Sequence, residues 1–564
     1  MAKLIISLLL LLSVVSHGQG WQWAHGFGSD CSLGPHGAVE GFLISAKKPN
    51  YIYFAGLNAA DSVCIGLHIF YNRNEQSIIG RMDSSGNLIW VIADSGKSYP
   101  IDLTTDALGN IYYFGYYTSS SITWGSQTIF NPGIIGKPCY FILKTDSNGN
   151  VIHLINGSTC NPGGIVGIKF GGIALDDQCN IYIASTFSDT TMQIGPYTIR
   201  DTGLANSRDI FVVKYDSTGS LRWVKHFGGK YEDVQTGVAI NEANKLFLTG
   251  YFSSDSIKFD TNTLYLTGPI PVHSYPCTYI LELDTSGNVI WARSPVGSDL
   301  SLSVAAKGRD IYIGGILLDS VLTVGTYNFH HVNNFGTLIK YDTIGNVLWA
   351  KVLGPATPYA FGSLTMGEIV FSIALDTSDN VWIIGKMDRN ILVDSSIFLD
   401  TIGHVDPSFL LCYSSIGRLI IKESLPSGGD DNIGLSLDGI GNTYIAGDYA
   451  VSPFVVGTDT MRLNALNTEN IFLARYVINK LQPSLGFSVS DSISLSWYPN
   501  PIQNKLTLIA SSPINNIIIT NVLGQVVCNE EYNNNNVQID VTNLAYGMYI
   551  LKVNHTIVRK FIKQ

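Results

Sequence analysis

The chain has 564 residues, of which 46% are hydrophobic and 14% are charged, and its formal net charge is −10. Low charge combined with 56 Gly and 29 Tyr residues indicates a β-rich protein outside the cell rather than a cytosolic helical enzyme. The acidic balance, without any block of Lys or Arg, argues against a nucleic-acid partner.

Residues 1–18 have the pattern of a secretory signal peptide. Lys3 supplies the positive charge, residues 4–15 form an apolar stretch too short to span a bilayer, and Gly18 places the cleavage before Gln19. An N-terminal membrane anchor is the alternative. Because no later run of 18 apolar residues occurs, we expect the mature chain not to be transmembrane.

A strand–turn–strand motif then recurs along the chain, as in IFVVKYDSTGSLRWV (210–224) and TLIKYDTIGNVLWA (337–350). The Asp that begins the turn can accept hydrogen bonds from backbone amides, and the Gly three residues later supplies a positive φ. Since they occupy the same position in each copy, we expect these residues to serve folding rather than catalysis. The turn residues are Asp83, Gly86, Asp146, Gly149, Asp216, Gly219, Asp284, Gly287, Asp342 and Gly345.

A second motif, a turn that leads into an Ile-Tyr strand such as DALGNIYYFG (106–115), occurs seven times. The strand before the first turn also occurs seven times if IFLARY (471–476) is counted, but the strand after it occurs six times. The segment WQWAHGFG (21–28) has the missing pattern, since Trp23 matches Trp223. The N-terminal segment is therefore predicted to complete the last repeat.

The strands of these repeats read as continuous apolar runs, which indicates that both of their faces are covered. Repeated β units that bury both faces predict an all-β fold, a seven-bladed β-propeller closed by the N-terminal strand, over residues 19–480. The units resemble the bacterial propeller repeats called SBBP repeats, on the pattern K-Y-D-x-x-G-N-x-x-W followed by D-x-x-G-N-x-Y. That resemblance implies a fold but little about function.

Residues 481–496 are a Ser-rich linker, and residues 497–564 contain short alternating strands that predict a small β-sandwich. This segment resembles the type A sorting domain of the type IX secretion system of Bacteroidetes. The residues that carry the resemblance are Tyr498, Pro499, Asn500, Pro501, Gly524, Gly547, Tyr549 and Lys560. The resemblance implies recognition by the secretion translocon after passage through the periplasm, and a protein that is secreted or held at the cell surface. An ordinary accessory sandwich is the alternative.

Motifs that carry chemistry are absent: the sequence has no G-x-S-x-G, no H-E-x-x-H, no P-loop and no EF-hand loop. We therefore assign no catalytic residue, no cofactor and no metal ligand, and calcium stays open without a supporting motif. Among the eight cysteines, Cys160 and Cys179 are the one pair proposed as a disulfide, with free thiols as the alternative.

The sequence thus predicts non-catalytic binding, or adhesion, to an extracellular protein or glycan. The alternative is a carbohydrate-active enzyme, a lyase or a glycosidase, with its site in the central channel. Either site is expected at the mouth of the channel or in long loops that do not follow the repeat. The candidate loops are 116–139, 155–170, 186–208 and 251–276.

Overall fold

The computed structural model describes residues 20–563 except 28–38, 60–61, 72–74, 133–135, 160–170, 189–190, 202, 205–206, 268–275, 298, 319–320, 331–334, 356–368, 388–389, 394–395, 400–406, 426–432, 450–451, 462–469, 478–494, 499–501, 522–524 and 555–556. The predicted signal peptide and most of the predicted linker lie outside the described residues. The chain divides into two compact units, Met1–Lys480 and Leu481–Gln564.

The regular structure described in the first unit consists of β-strands. The first strands are β1 (Gly20–Phe27), β2 (Val39–Lys48), β3 (Tyr51–Asn58), β4 (Ser62–Ile65), β5 (His68–Tyr71), β6 (Gln76–Met82), β7 (Leu88–Ala93), β8 (Ser98–Thr105), β9 (Ile111–Tyr117), β10 (Ser121–Trp124), β11 (Gln127–Phe130), β12 (Cys139–Thr145), β13 (Val151–Thr159), β14 (Gly172–Leu175), β15 (Ile181–Phe187), β16 (Thr191–Ile194), β17 (Tyr197–Arg200), β18 (Asp209–Tyr215), β19 (Leu221–Phe227), β20 (Asp233–Ile240) and β21 (Leu246–Phe252).

The remaining strands of this unit are β22 (Ser256–Phe259), β23 (Asn262–Tyr265), β24 (Cys277–Leu283), β25 (Val289–Arg293), β26 (Asp299–Lys307), β27 (Asp310–Leu317), β28 (Val321–Val324), β29 (Tyr327–His330), β30 (Phe335–Asp342), β31 (Val347–Pro355), β32 (Ile369–Leu375), β33 (Val381–Lys386), β34 (Asn390–Val393), β35 (Ser396–Leu399), β36 (Ser408–Tyr413), β37 (Leu419–Leu425), β38 (Ile433–Leu437), β39 (Asn442–Tyr449), β40 (Phe454–Val456), β41 (Asp459–Met461) and β42 (Asn470–Val477).

One antiparallel plan of four strands recurs through the described part of this unit. The groups are β2-β3-β6-β7, β8-β9-β12-β13, β14-β15-β18-β19, β20-β21-β24-β25, β26-β27-β30-β31, β32-β33-β36-β37 and β38-β39-β42-β1. The first strand of each group contacts the first strand of the next group, and β38 contacts β2.

The last group contains strands from both ends of the unit. β1 pairs antiparallel with β42, so that Trp23 stands opposite Arg475 and Phe27 opposite Ile471. Because Trp23 and Phe27 also pack in one apolar cluster with Phe54 of β3, the N-terminal strand contributes to the core between this group and the first one.

The hydrophobic core lies between neighbouring groups of strands. In β18, Val213 packs in a cluster with Ile142 of the preceding group, whereas Val212 packs in a cluster with Leu248 of the following group. Successive side chains of a strand point to opposite faces, so a sheet covered on both faces needs apolar residues at every position. This is the physical origin of the continuous apolar runs in the sequence.

The prediction that the candidate loops do not follow the repeat is wrong for 116–139, 186–208 and 251–276, whereas most of 155–170 lies outside the described residues. Each connection between the second and third strand of a group contains a short hairpin, for example β10–β11 inside 116–139 and β22–β23 inside 251–276. Hairpins lie along outermost strands and protect their edges, and in two places they pair with them: β16 with the end of β13, and β34 with the end of β31. Side chains of the hairpins also accept hydrogen bonds from backbone amides of the outermost strands. Asp260 Oδ2 accepts from the Val289 amide at 3.0 Å, and Gln127 Oε1 accepts from the Leu154 amide at 2.9 Å.

The proposed disulfide between Cys160 and Cys179 is also wrong. Cys179 is a free thiol in the turn that precedes β15, and its φ is positive, at 60°. Burial is the largest cause that raises the pKa of this thiol. Cys64, in the hairpin strand β4, is the described cysteine that forms a disulfide, and its partner lies outside the described part of the chain.

The second unit is also built from strands: β43 (Leu495–Tyr498), β44 (Lys505–Asn521), β45 (Val526–Asp540), β46 (Gly547–Val553) and β47 (Ile557–Lys563). The long strand β44 pairs with β43 through its first part and with β46 through its last part, and β45 follows it along both. The buried apolar core includes Leu508, Ile519, Leu551 and Phe561.

Candidate functional site

Each turn of the first motif is closed by the aspartate that begins it. Asp83 Oδ1 accepts hydrogen bonds from the amides of Ser85 and Asn87 at 2.9 Å each, and Oδ2 accepts one from the Asn87 side chain at 2.9 Å. Gly86 has a φ of 85°, which residues with a Cβ seldom adopt. The same amide bonds are made to Asp146, Asp216, Asp284 and Asp342. The matching glycines, with φ from 83° to 86°, are Gly149, Gly219, Gly287 and Gly345.

These hydrogen bonds keep the turn carboxylates charged. Burial alone would raise the pKa of Asp83, but the bonds from Asn87 and the backbone outweigh burial and lower it. At Asp216, the hydroxyl of Thr218 is the largest cause of a pKa lowered to about 2. A carboxylate that accepts three bonds from its own turn has little capacity left for a metal or a substrate. The geometry therefore gives these aspartates a role in the fold.

A tryptophan in the last strand of one group bonds the turn of the next group. Trp90 Nε1 donates to the Ser147 carbonyl at 3.0 Å, and a Cβ on Gly149 would lie 2.9 Å from the Trp90 ring. In the N-terminal strand, Trp23 donates to the Ser84 carbonyl at 2.9 Å. The same bond joins Trp223 to Thr285, Trp291 to Thr343 and Trp349 to Ser415. This contact explains why Trp and Gly recur together in the repeat.

The second motif uses its aspartate in a similar way, but in a more buried turn. Asp176 Oδ1 accepts from the amides of Gln178 and Asn180 at 3.1 and 2.8 Å, and Oδ2 accepts from the Tyr182 hydroxyl at 3.0 Å. Burial is the largest cause that raises the pKa of Tyr182. The Tyr of the Ile-Tyr strand therefore anchors the turn from which its own strand begins.

Polar side chains on the first strands join one group to the next. Asp102 Oδ2 accepts from the Ile173 amide at 3.0 Å, and Ser436 Oγ accepts from the Ala46 amide at 2.8 Å. A third bond of this kind joins Ser303 Oγ to the Ile373 amide at 3.2 Å. The bond of Ser436 connects the group that contains β38 to the group that contains β2.

Lys47 is a titratable residue on the first strands. Its Nζ donates to Thr104 Oγ1 at 2.7 Å. Loss of solvation among the surrounding protein atoms lowers the pKa of Lys47, and the charge of the Asp102 carboxylate acts in the opposite direction. Thr104 is buried whereas Lys47 is exposed, so within this pair the Lys47 ammonium is the group that solvent can reach.

Three aspartates have the opposite pKa shift from the turn carboxylates. Burial raises the pKa of Asp94, Asp233 and Asp299 to about 7 each. For Asp233, the charge of Asp209 adds to the effect of burial. Neighbouring carboxylates with separated pKa values are typical of acid–base sites. Here both Asp209 and Asp233 are 0% exposed, so a substrate cannot reach them in this arrangement.

The predicted sorting residues are only partly described. Tyr498 ends β43, Gly547 begins β46 with a φ of 155°, and Lys560 stands opposite Ile550 in β47. Tyr549 is buried, and its hydroxyl donates to the Ala545 carbonyl at 2.9 Å. Pro499, Asn500, Pro501 and Gly524 lie outside the described residues.

Clusters suited to a metal ion do not occur within the described ranges, where no three His, Cys, Asp or Glu side chains come together. Among the same residues, no helix has the length and apolar character needed to cross a membrane. His330 ends the hairpin strand β29, whereas its neighbour His331 is outside the described part of the chain.

Residues 496–564 match the family of secretion system C-terminal sorting domains. This part of the chain is a sorting domain of the type IX secretion system, which implies export to the cell surface or the medium. An uncharacterised WD repeat-containing protein of Acanthamoeba polyphaga mimivirus is 23% identical over 376 residues, which is 56% of this chain and 26% of that protein. The chain therefore spans about a quarter of that relative's length.

Several solved structures are similar in part. A structure of YCF48 bound to D1 peptide has a TM-score of 0.36 and 10% identity, and it covers 82% of this chain and 97% of its own. BamB from Moraxella catarrhalis has a TM-score of 0.22 and 12% identity, over 64% and 95% of the two chains. TM-scores in this range do not establish a shared fold. The recurring four-stranded groups and the WD-repeat similarity indicate an all-β, propeller-like first unit.

Proposed function

We propose that this chain is an exported, seven-bladed β-propeller that binds an extracellular protein or glycan without acting on it chemically. The observation that carries the export route is the match of residues 496–564 to the sorting-domain family. We assign residues 19–480 to the propeller, 481–496 to a linker and 497–564 to the sorting domain, with 1–18 as the signal peptide.

The contacts between groups support a closed ring. The first strands contact one another in sequence, and β38 contacts β2. The Ala46 amide bonds Ser436, and Trp23 bonds the turn at Ser84, so both ends of the unit meet in the same place. An open array of groups would leave the outer apolar faces of the first and last groups exposed, whereas closure packs them together, as in the cluster of Phe54 with Leu473. The resemblance to SBBP repeats is in keeping with this architecture.

Binding, rather than catalysis, is supported by the way polar and aromatic groups are used. The repeated carboxylates accept hydrogen bonds within their own turns, whereas several aromatic rings at the ends of the hairpins are exposed to solvent. Tyr71, Phe130 and Tyr265 end the second strand of their hairpins and are 75%, 68% and 66% exposed. Exposed aromatic rings offer large contact areas with little loss of side-chain entropy.

A binding screen tests this proposal with the whole mature chain. The protein is screened against glycans and extracellular matrix proteins, with and without calcium, and each ligand is then examined by mass spectrometry for cleavage. We expect saturable binding that weakens in Tyr265→Ala or Phe130→Ala and is unchanged in the nearby control Thr128→Ala. Cleavage products would contradict the proposal and would favour the alternative, a lyase or glycosidase.

The export route has a separate test. In cells that carry the type IX secretion system, deletion of residues 491–564 should leave the protein in the periplasm. Normal delivery of the truncated chain to the surface or the medium would contradict the proposed route.

A further inference from the structure

The sorting domain exposes apolar residues on one side of strand β46. Successive side chains in a strand point to opposite faces. Accordingly, Tyr549 and Leu551 are buried in the core, whereas Met548 and Ile550 point outward and are 46% and 39% exposed. A sheet with one solvated face would be expected to carry polar residues at these outward positions.

Neighbouring strands extend the same surface. Ile562 of β47 stands opposite Met548 and is 42% exposed. On the other side, Ile550 stands opposite Thr520, which in turn stands opposite Val526, and Val526 is 60% exposed. Directly opposed side chains on adjacent strands lie about 5 Å apart, so Met548, Ile550 and Ile562 are contiguous. Thr520 lies between Ile550 and Val526, and Lys560 stands opposite Ile550 on its other side. We call Val526, Met548, Ile550 and Ile562 together the apolar face.

The opposite end of β44 shows that the domain does not leave all its surfaces apolar. There Thr507 stands opposite Gln538, and Lys505 opposite Asp540. The Gln538 side chain donates to Thr507 Oγ1 and accepts from Lys505 Nζ, at 3.4 Å in both cases. The first part of β44 thus carries polar outward residues, whereas the apolar face is confined to the strands beside its last part.

We propose that the apolar face is the surface by which a protein of the exporting machinery recognises the sorting domain. The inference rests on the proposed export function, because a sorting domain must be read by another molecule. Contiguous exposed apolar residues on a soluble domain usually mark an interaction site. Lys552 follows in the same strand and faces the same side as Ile550, so the partner surface should be apolar with carboxylates at its border.

Other occupants of the apolar face are less well supported. A second copy of the chain would bring this face, with its Lys552, against an identical face, in which neither Lys552 gains an acidic partner from the face itself. A membrane would fit an apolar surface with lysines, but the interfacial aromatic residues that anchor such surfaces are not among the four residues of the face. Both alternatives are tested below.

The test uses full-length protein in cells that carry the secretion system. The variants are Ile550→Lys and Ile550→Thr, and the controls are Thr507→Lys in the polar part of β44 and Gln538→Lys opposite it in β45. The readout is the ratio of surface and medium protein to periplasmic protein. We expect at least a tenfold fall for Ile550→Lys and a smaller fall for Ile550→Thr, whereas both controls stay within about twofold of the unmodified protein.

Two further measurements distinguish a loss of export from a loss of folding. Purified variants are compared by thermal unfolding, and Ile550→Thr, which keeps a β-branched side chain at a partly exposed position, should retain the transition of the C-terminal unit. Folded Ile550→Thr and Ile550→Lys that are exported normally would overturn the inference. If deletion of residues 491–564 also left export intact, the proposed export function itself would be wrong. If the deletion blocked export but the Ile550 variants did not, only the role of the apolar face would be wrong.

The competing occupants give their own results. Sedimentation should show the unmodified chain as a monomer, and flotation with vesicles of phosphatidylethanolamine and phosphatidylglycerol should leave it unbound. A dimer that Ile550→Lys dissociates would assign the face to a second copy. Vesicle binding that Ile550→Lys abolishes would assign it to the membrane. Either result would overturn the proposal of a protein partner.

Discussion

Replacing Gly149 with alanine separates the two reasons why the repeated turn needs glycine. One reason is the backbone, because Gly149 has a φ of 86°. The other is space, because a Cβ at this position would lie 2.9 and 3.0 Å from atoms of the Trp90 ring. The matched control is Gly308→Ala, since Gly308 has a φ of 56° and a Cβ added there would have no atom within 4 Å.

The two substitutions should differ in magnitude. A residue with a Cβ in the left-handed region costs about 1–2 kcal/mol, so Gly308→Ala should destabilise the protein by about that amount. Gly149→Ala should cost the same backbone term. In addition, it displaces a fixed aromatic ring, which costs about 1–3 kcal/mol in a packed interior, and it weakens the bond from Trp90 Nε1 to the Ser147 carbonyl. The expected total is about 2–5 kcal/mol.

The assay is urea unfolding followed by far-UV circular dichroism. An m-value equal to that of the unmodified protein shows that the unfolded state is unchanged. A double-mutant cycle with Trp90→Phe tests the contact with the ring, because phenylalanine lacks the indole atom Cε3, 3.0 Å from the added Cβ, and the Nε1 donor. In that background, Gly149→Ala should lose about half of its effect or more. Equal losses for Gly149→Ala and Gly308→Ala, with no coupling to Trp90, would refute the reasoning.

Three further predictions follow from the same interior. Burial raises the pKa of Asp299 to about 7, above its unfolded value near 3.9, so the folded state binds the extra proton and the free energy of unfolding should fall as pH rises from about 4 to 7; Asp299→Asn should flatten this slope in urea midpoints. Ser436→Ala should cost about 1–3 kcal/mol in urea unfolding, because it leaves a buried amide unpaired, whereas Thr123→Ala on an exposed hairpin should cost less than about 0.5 kcal/mol. Alkylation of the unfolded, unreduced protein followed by mass spectrometry should label Cys179 but not Cys64; labelling of Cys64 would contradict its disulfide.

Much of the strand order could be predicted because the repeat makes local chemistry visible several times. Asp216 and Gly219 recur at fixed spacing because each turn needs an acceptor at its start and a positive φ at its end. The match between Trp23 and Trp223 is informative for the same reason: both make one bond to the following turn. Local rules that repeat can be recognised without knowing which strands are neighbours.

The inserted hairpins could not be recognised in this way. Their strands have three or four residues, and their tips lack the Asp-x-x-Gly pattern. A signal is nevertheless present, because SITWGSQTIF (121–130), TMQIGPYTIR (191–200) and SIKFDTNTLY (256–265) share apolar residues at the same places. Most of these side chains are buried in the apolar clusters of the groups, so the spacing reflects tertiary contacts that single-sequence reasoning does not include.

The contrast between repeated and divergent positions favours the hairpin ends as the place of the proposed ligand contacts. Residues that recur between copies bond their own turns or the neighbouring group, so the same contacts are repeated around the unit and do not distinguish one ligand from another. The ends of the hairpins differ from copy to copy: Tyr71, Phe130, Arg200, Tyr265 and His330 occupy the corresponding position, and all are exposed. A rigid repeated frame with different exposed side chains at one equivalent position can present several contacts to one extended partner at once. Ligand specificity should therefore change with substitutions at these hairpin ends, while substitutions at the turn aspartates should change stability alone.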